Sequence, residues 1–195
     1  MADQQQRRIT DAATLKAFGH PLRMRLYRGL FIARRATASH LADQVDEAVS
    51  LVSYHLRKLA EHGLIEEAES PGSDGRERWW QVASDGVAWA AEDFGGGPEE
   101  AAVYRTVGRL IAEQRHEQYL AYRETESAWS PEWRTASLSS EYLAPLTPAE
   151  LTAFGRELHE LAMKYQNAGR AAEEAGDTAG RETVSLHLYG FPFRP

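Results

Sequence analysis

Five side chains with chemistry to offer stand close together in this sequence: Ser50, Ser53, Tyr54, Arg57 and Lys58. In a helix, their spacing places them on one side. Apolar Val52, Leu56 and Leu59 recur at i, i+4 and i+7 on the other. The polar side offers two short hydroxyls, a phenol and two cations, and no carboxylate among these five. Hydroxyls and a phenol suit hydrogen bonds to the edges of bases, while flanking cations suit phosphates. A solvated helix face would also be polar, so what surrounds the helix has to decide between the two readings.

The surrounding stretch is LADQVDEAVSLVSYHLRKLAEHG, residues 41–63. It reads as two short helices with a tight break at Asp46–Ala48, and Gly63 stops the second. Leu64–Ala68 is expected to form a strand, SPGSDG at 70–75 a turn, and Arg76–Val82 the returning strand. The return arm is basic at Arg76 and Arg78 and carries Trp79 and Trp80. Side chains alternate along a strand, so one Trp is expected to anchor the hairpin and the other to lie outside.

Residues about 14–85 resemble the winged helix-turn-helix of the arsenic-repressor-type (ArsR-like) bacterial transcription regulators. The residues that carry the resemblance are FGHPLRMRLY at 18–27, LADQV at 41–45, SYHLRKLAEHGLI at 53–65 and GRERWWQV at 75–82. The resemblance implies a homodimer on a palindromic operator in double-stranded DNA, with the second motif helix in the major groove and the wing near the minor groove. Carried over by position, it implies that Ser50, Ser53 and Tyr54 face bases and that Arg57, Arg76 and Arg78 face phosphates. One departure stands out. That family's turn usually has a small residue, often glycine, then an apolar one and a helix-capping serine, where this chain has Asp46, Glu47 and Ala48. Two carboxylates there would repel phosphate, implying modest affinity or a turn angled away from the DNA.

The charge balance sharpens this point. Of 22 Lys+Arg and 29 Asp+Glu, residues 1–85 carry 12 of each, leaving 10 against 17 beyond. The formal net charge of −7 therefore lies entirely in the C-terminal part. A neutral module must bind DNA through local arrangement of cations, with weak, salt-sensitive non-specific affinity. The same neutrality motivates an alternative: a winged-helix protein–protein interaction module without specific DNA binding.

The elements that position the site are expected as follows. Residues 1–8 are polar and frayed, with Arg7 and Arg8 solvated or touching DNA. A first helix covers 10–18, capped by Thr10. A second runs from Pro21 to about Arg34, with Leu22, Leu26 and Leu30 inward and Arg23, Arg25 and Arg28 outside, where they could support backbone contacts. Thr37 or Ser39 caps the helix through Val45. Ser84 caps a short helix containing Val87, Trp89 and Ala90, and Gly95–Gly97 is a break. A long helix then opens at Pro98 and continues to about Ser127, with Val103, Val107, Leu110 and Ile111 as its apolar stripe, and is assigned to dimerisation.

The last third reads as strand, helix, strand. Thr135–Leu143 alternates; Thr147, Pro148 and Glu150 open a helix ending near Ala168–Gly169; Thr183–Phe191 alternates again. The fold class is thus mainly α with small β (α+β): a winged helix-turn-helix at 10–85, then a dimerisation and effector-binding region at 86–195. The aromatic content beyond residue 86 is read either as core filling or as an apolar pocket for a small organic effector, lined by Tyr119, Tyr122, Trp129, Trp133 and Phe154.

Other chemistries find little support. With no cysteine there are neither disulfides nor thiolate metal sites. Glu113, His116 and Glu117 share a helix face, but such trios are usually solvated and ion-paired, and no metal or other cofactor is expected. No nucleophile–base grouping, phosphate loop or nucleotide fingerprint appears, so an enzyme is not expected. No stretch reaches the ~18 apolar residues of a membrane span, and MADQQQRR holds no apolar signal region; the expectation is a cytoplasmic protein without membrane association.

Overall fold

The computed structural model describes residues 7–70 and 77–194. The chain divides into two compact units, residues 1–124 and 125–195.

In the first unit, β1 (Arg7–Arg8) leads to α1 (Ala12–Phe18), α2 (Pro21–Ala33), β2 (Ala36–Thr37), α3 (Ala38–Val45) and α4 (Val49–Glu61). The hairpin β3 (Ile65–Ala68) and β4 (Trp79–Val82) follows, then β5 (Val87–Ala88), a 3-10 turn at Ala91–Phe94 and α5 (Pro98–Thr125). β4 lies between β2 and β3, antiparallel to both, with Ala36 opposite Trp80 and Ile65 opposite Val82. Leu15, Leu26, Leu30, Leu41, Val52, Leu56 and Leu59 are sealed in one core with Ile65, Trp80, Phe94, Val107 and Ile111.

Local chemistry explains most element ends. Asp11, rather than Thr10, caps α1: its carboxylate accepts the Thr14 backbone N–H at 2.7 Å, which holds its pKa below the usual aspartate value. Pro21 opens α2 as expected. Thr37 caps α3 through the His40 N–H at 3.3 Å. α3 ends on Asp46 at φ 53°, the left-handed conformation that favours glycine and that Asp tolerates better than most residues. Gly63, at φ +62°, turns the chain from α4 into β3.

Several expectations are corrected. Arg7 and Arg8 are neither frayed nor free: β1 pairs in parallel with β5, Arg7 donates to the Gly63 carbonyl, and Arg8 pairs with Glu92 and Asp93. Val87–Ala88 is accordingly strand, not part of a helix capped by Ser84. Arg25 is committed elsewhere, its Nη2 donating to the Val45 carbonyl at 2.8 Å, a cation on the negative end of α3. Arg23 and Arg28 are half-buried rather than outside.

The long helix serves two purposes along its length. Val107 and Ile111 are buried in the core of the first unit, and Phe94 stacks on Tyr104 at 5.7 Å, so the N-terminal half packs within its own subunit. Tyr119 and Leu120 in the other half are exposed.

In the second unit, a 3-10 turn (Glu126–Ala128) and α6 (Pro131–Ala136) precede α7 (Pro148–Glu174). The Thr147–Glu150 capping box is present, and α7 runs past Gly169 to Glu174. The two expected strands do not form: α6 occupies the start of Thr135–Leu143, and Thr183–Phe191 carries no ladder. Alternation supplies a strand's two faces but not the partner its backbone needs.

Gly19 permits a close approach that any other residue would block. A Cβ there would stand 2.6 Å from Val107 Cγ1, a short branched side chain with little freedom to yield. Gly19→Ala should destabilise the protein by ~1–3 kcal/mol. Chemical denaturation would measure this, and an unchanged midpoint would show that the α1–α2 turn and α5 are not tightly packed.

Candidate nucleic-acid interface

The candidate interface is built on α4. Val52, Leu56 and Leu59 are each 0% exposed, and His55 is buried beside them. This seating turns Ser50, Ser53, Tyr54, Arg57 and Lys58 onto one outward arc: Ser50, Tyr54 and Arg57 exposed, Ser53 and Lys58 half-buried. Ala48 provides no side-chain cap for α4.

The hairpin stands beside this arc. Trp80 is buried as its anchor, while Trp79 is half-buried against the His40 ring at 5.4 Å. Arg78 lies 5.6 Å over the Trp80 ring, and its Nε is 3.1 Å from Glu67. Residues 71–75 of the expected turn, and Arg76, lie outside the described residues.

Between the start of α3, α4 and β4 lies an open cleft of about 360 Å³. Thr37, Ser39, Val49, Ser53, Arg57, Glu77, Arg78 and Trp80 line it. Ser53, Arg57 and Arg78, expected at the interface from sequence, thus meet in one cleft; Ser50, Tyr54 and Lys58 are not among its walls. Arg57 makes no hydrogen bond or ion pair among the described residues, so its donors stand available. Its charge helps to depress the Glu61 pKa.

Carboxylates temper the cationic side. Lys58 Nζ donates to Glu61 Oε2 at 2.6 Å, which raises the lysine pKa and lowers that of the glutamate. Ser39 Oγ donates to Glu77 Oε1 at 3.1 Å within the cleft. The Glu61 pairing was legible as an i, i+3 spacing on α4. The Ser39–Glu77 contact spans 38 residues and had no local signal.

Sequence reasoning also missed a histidine pair beneath α4. The rings of His20, at the start of α2, and His55 pack at a 38° tilt with centroids 4.6 Å apart, and Tyr54 meets His55 edge-on at 5.1 Å. Burial lowers both imidazole pKa values, and Arg23 lowers both further; His20 adds to the effect on His55, which Glu47 opposes. His55 Nδ1 and Arg23 Nε are buried without a hydrogen-bond partner.

The proposed effector residues fall in both units. Tyr119 (39% exposed) and Tyr122 (half-buried) lie in the first; Trp129 (37%), Trp133 (half-buried) and Phe154 (51%) lie in the second. Glu113 is held by Arg109 Nη1 at 2.8 Å. Among the described residues, no group of three or more His, Asp or Glu comes together as a metal site, and no helix is long and apolar enough to cross a membrane.

Residues 18–68, from the end of α1 through β3, match the family model described as a helix-turn-helix domain. This stretch is a helix-turn-helix domain. With the β3–β4 hairpin it forms a winged helix-turn-helix, bearing out the resemblance to the ArsR-like module. No curated protein sequence matches the chain. Solved structures with some likeness include reduced HlyU from Vibrio cholerae, at 18% identity over 50% of this chain and 84% of that one, TM-score 0.32. A possible transcriptional regulator for arsenical resistance matches at 26% identity over 51% and 94%, TM-score 0.31. A mutant MarR from E. coli complexed with operator DNA matches at 15% over 76% and 82%, TM-score 0.31.

The histidine pair gives the helix-turn-helix a pH dependence with a definite sign. Both folded pKa values are lowered, so the unfolded chain takes up protons first as pH falls. Stability is full above the ordinary histidine value of ~6.5 and is lost as pH drops through the lowered folded values. The melting temperature should therefore fall between pH 7.5 and 5, and His55→Phe should flatten that slope. An unchanged slope in His55→Phe would show that charging the pair costs the fold nothing.

Proposed function

We propose that the protein is a sequence-specific DNA-binding transcription regulator that acts in the cytoplasm as a homodimer on a palindromic operator, as a repressor, with no enzymatic activity. The observation that carries this reading is the seating of α4. Its apolar stripe is fully buried, and its hydroxyl, phenol and cation arc faces out beside the wing. In this arrangement α4 enters the major groove and the β3–β4 wing flanks the adjacent minor groove. Ser50, Ser53 and Tyr54 read bases, while Arg57, Lys58, Arg76 and Arg78 hold phosphates. Residues 10–85 supply the DNA-binding module, and 86–195 supply dimerisation and effector binding.

Mobility shift with fragments selected from genomic DNA tests the reading directly. Ser53→Ala and Tyr54→Ala should each weaken operator binding by ~1–3 kcal/mol for a lost base contact. Arg57→Ala and Arg78→Ala should weaken binding to every sequence and flatten its salt dependence. Equal binding by parent and all four variants would remove the docking. A module that retains no fragment against competitor DNA would instead support the protein–protein reading, which the ion-paired carboxylates beside the arc favour.

Support for the homodimer comes from apolar side chains left in water: Tyr119 and Leu120 on the latter half of α5, and Phe154, Leu161 and Tyr165 on α7. Val107 and Ile111 already serve the unit's own core, so the dimer contact falls further along α5. Leu120→Glu and Leu161→Glu should give monomers by light scattering and lose palindrome binding, because a charge in an apolar interface is costly. A dimer that survives both changes has its interface elsewhere. A small, weakly polar aromatic effector taken up by the 86–195 region would alter operator affinity by ~5–150-fold, given a coupling of ~1–3 kcal/mol. Tryptophan fluorescence during titration reads its binding.

A further inference from the structure

If α4 lies in the major groove and the wing beside the next minor groove, one sugar–phosphate strand must run between them, because that strand is what separates the two grooves. The space between α4 and the wing is the cleft lined by Ser39, Ser53, Arg57, Glu77, Arg78 and Trp80. A cleft shaped for phosphate would be expected to hold only donors and cations. This one holds a carboxylate, Glu77, fixed by the Ser39 hydroxyl at 3.1 Å. That contact also consumes a hydroxyl otherwise free to donate to a phosphate oxygen. A second carboxylate, Glu67, engages Arg78 at 3.1 Å and draws on a cation of the same cleft. Arg57 alone among the cleft's cations makes no ion pair with the described residues.

We propose that Glu77 and Glu67 are affinity-limiting residues of the DNA interface: they repel or neutralise at the track of the phosphate strand and so hold sequence-independent binding down. This rests on the DNA-binding reading above and adds to it a role for two side chains that otherwise work against it. Phosphates carry no sequence information, so the brake acts equally on operator and random DNA. It lowers affinity while leaving discrimination untouched. It also acts through charge, so salt weakens it.

Glu77→Gln keeps an oxygen that can accept from Ser39 and removes only the charge. Glu67→Gln releases Arg78. Glu66→Gln is the control: it removes one charge from the same hairpin at a residue that, among the described residues, pairs with no cleft cation and accepts instead from Gln81 Nε2 at 2.8 Å. Fluorescence anisotropy with a random-sequence duplex and a selected operator, across a salt series, reads the outcome. Glu77→Gln and Glu67→Gln should each bind both duplexes about three- to tenfold more tightly at low salt, converging on the parent at high salt, and Glu66→Gln should stay near the parent. Thermal melting of each variant checks that the fold is retained.

Three results would overturn the inference. The first is unchanged or weakened affinity in Glu77→Gln and Glu67→Gln. The second is an equal gain in Glu66→Gln, which makes the effect one of net charge. The third is a gain confined to the operator, which makes Glu77 a reader of bases. Arg57→Ala separates this from the underlying reading: if it loses affinity while Glu77→Gln is neutral, the brake falls and DNA binding stands. If no protein in the set retains either duplex, both fall.

Discussion

Burial of Val52, Leu56 and Leu59 is the constraint on which the interface depends. Fully burying one such aliphatic side chain is worth ~1.5–3 kcal/mol. The local flaws of the helix-turn-helix are smaller. The missing cap at Ala48 costs ~1 kcal/mol, and a non-glycine residue in the left-handed region at Asp46 costs ~1–2 kcal/mol. Three buried side chains therefore hold α4 in its seat despite an imperfect turn, and a helix so seated has only one face left to offer. A one-residue change in the phase of that stripe would turn the helix by about 100°, putting His55 where Tyr54 now stands and Lys58 where Arg57 stands.

Electrostatics then sets how strongly that face can act. A neutral N-terminal module has no long-range field to gather DNA, so what matters is where individual cations point. Arg25 is committed to the end of α3, Arg8 to Glu92 and Asp93, Lys58 to Glu61 and Arg78 to Glu67. Exposed pairs of this kind contribute little to stability and exchange readily for a phosphate. They tune affinity without deciding the fold. Asp46 and Glu47, in the turn before α4, add two exposed carboxylates to the same module.

What was legible in the sequence is what the chain decides locally. The α4 stripe, the hairpin anchored by one of its two tryptophans, Pro21 at the head of α2 and the Thr147–Glu150 capping box are all set by residues within a turn or a strand of one another, and they stand as read. The misread parts depend on distant partners. β1 and β5 pair across about eighty residues through two-residue strands, too short for any periodicity. Val184, Leu186 and Leu188 alternate with Ser185, His187 and Tyr189, yet no neighbouring strand meets them, and all three apolar side chains are more than half exposed. The site divides in the same way. The outward arc of α4 followed from spacing, whereas the Ser39–Glu77 contact and the His20–His55 ring contact join residues that only the folded chain brings together.

Those non-local contacts also form a continuous line of packing from α5 to α4. Val107 reaches the α1–α2 turn because Gly19 has no Cβ to keep it out. The next residue is His20, whose ring packs at a tilt on that of His55, and His55 lies on α4 between Tyr54 and Leu56. Gln114 Nε2 also donates to the Pro21 carbonyl at 3.3 Å, so α5 meets this short segment at two points. The histidine pair leaves two buried groups of that line, His55 Nδ1 and the neighbouring Arg23 Nε, without a hydrogen-bond partner.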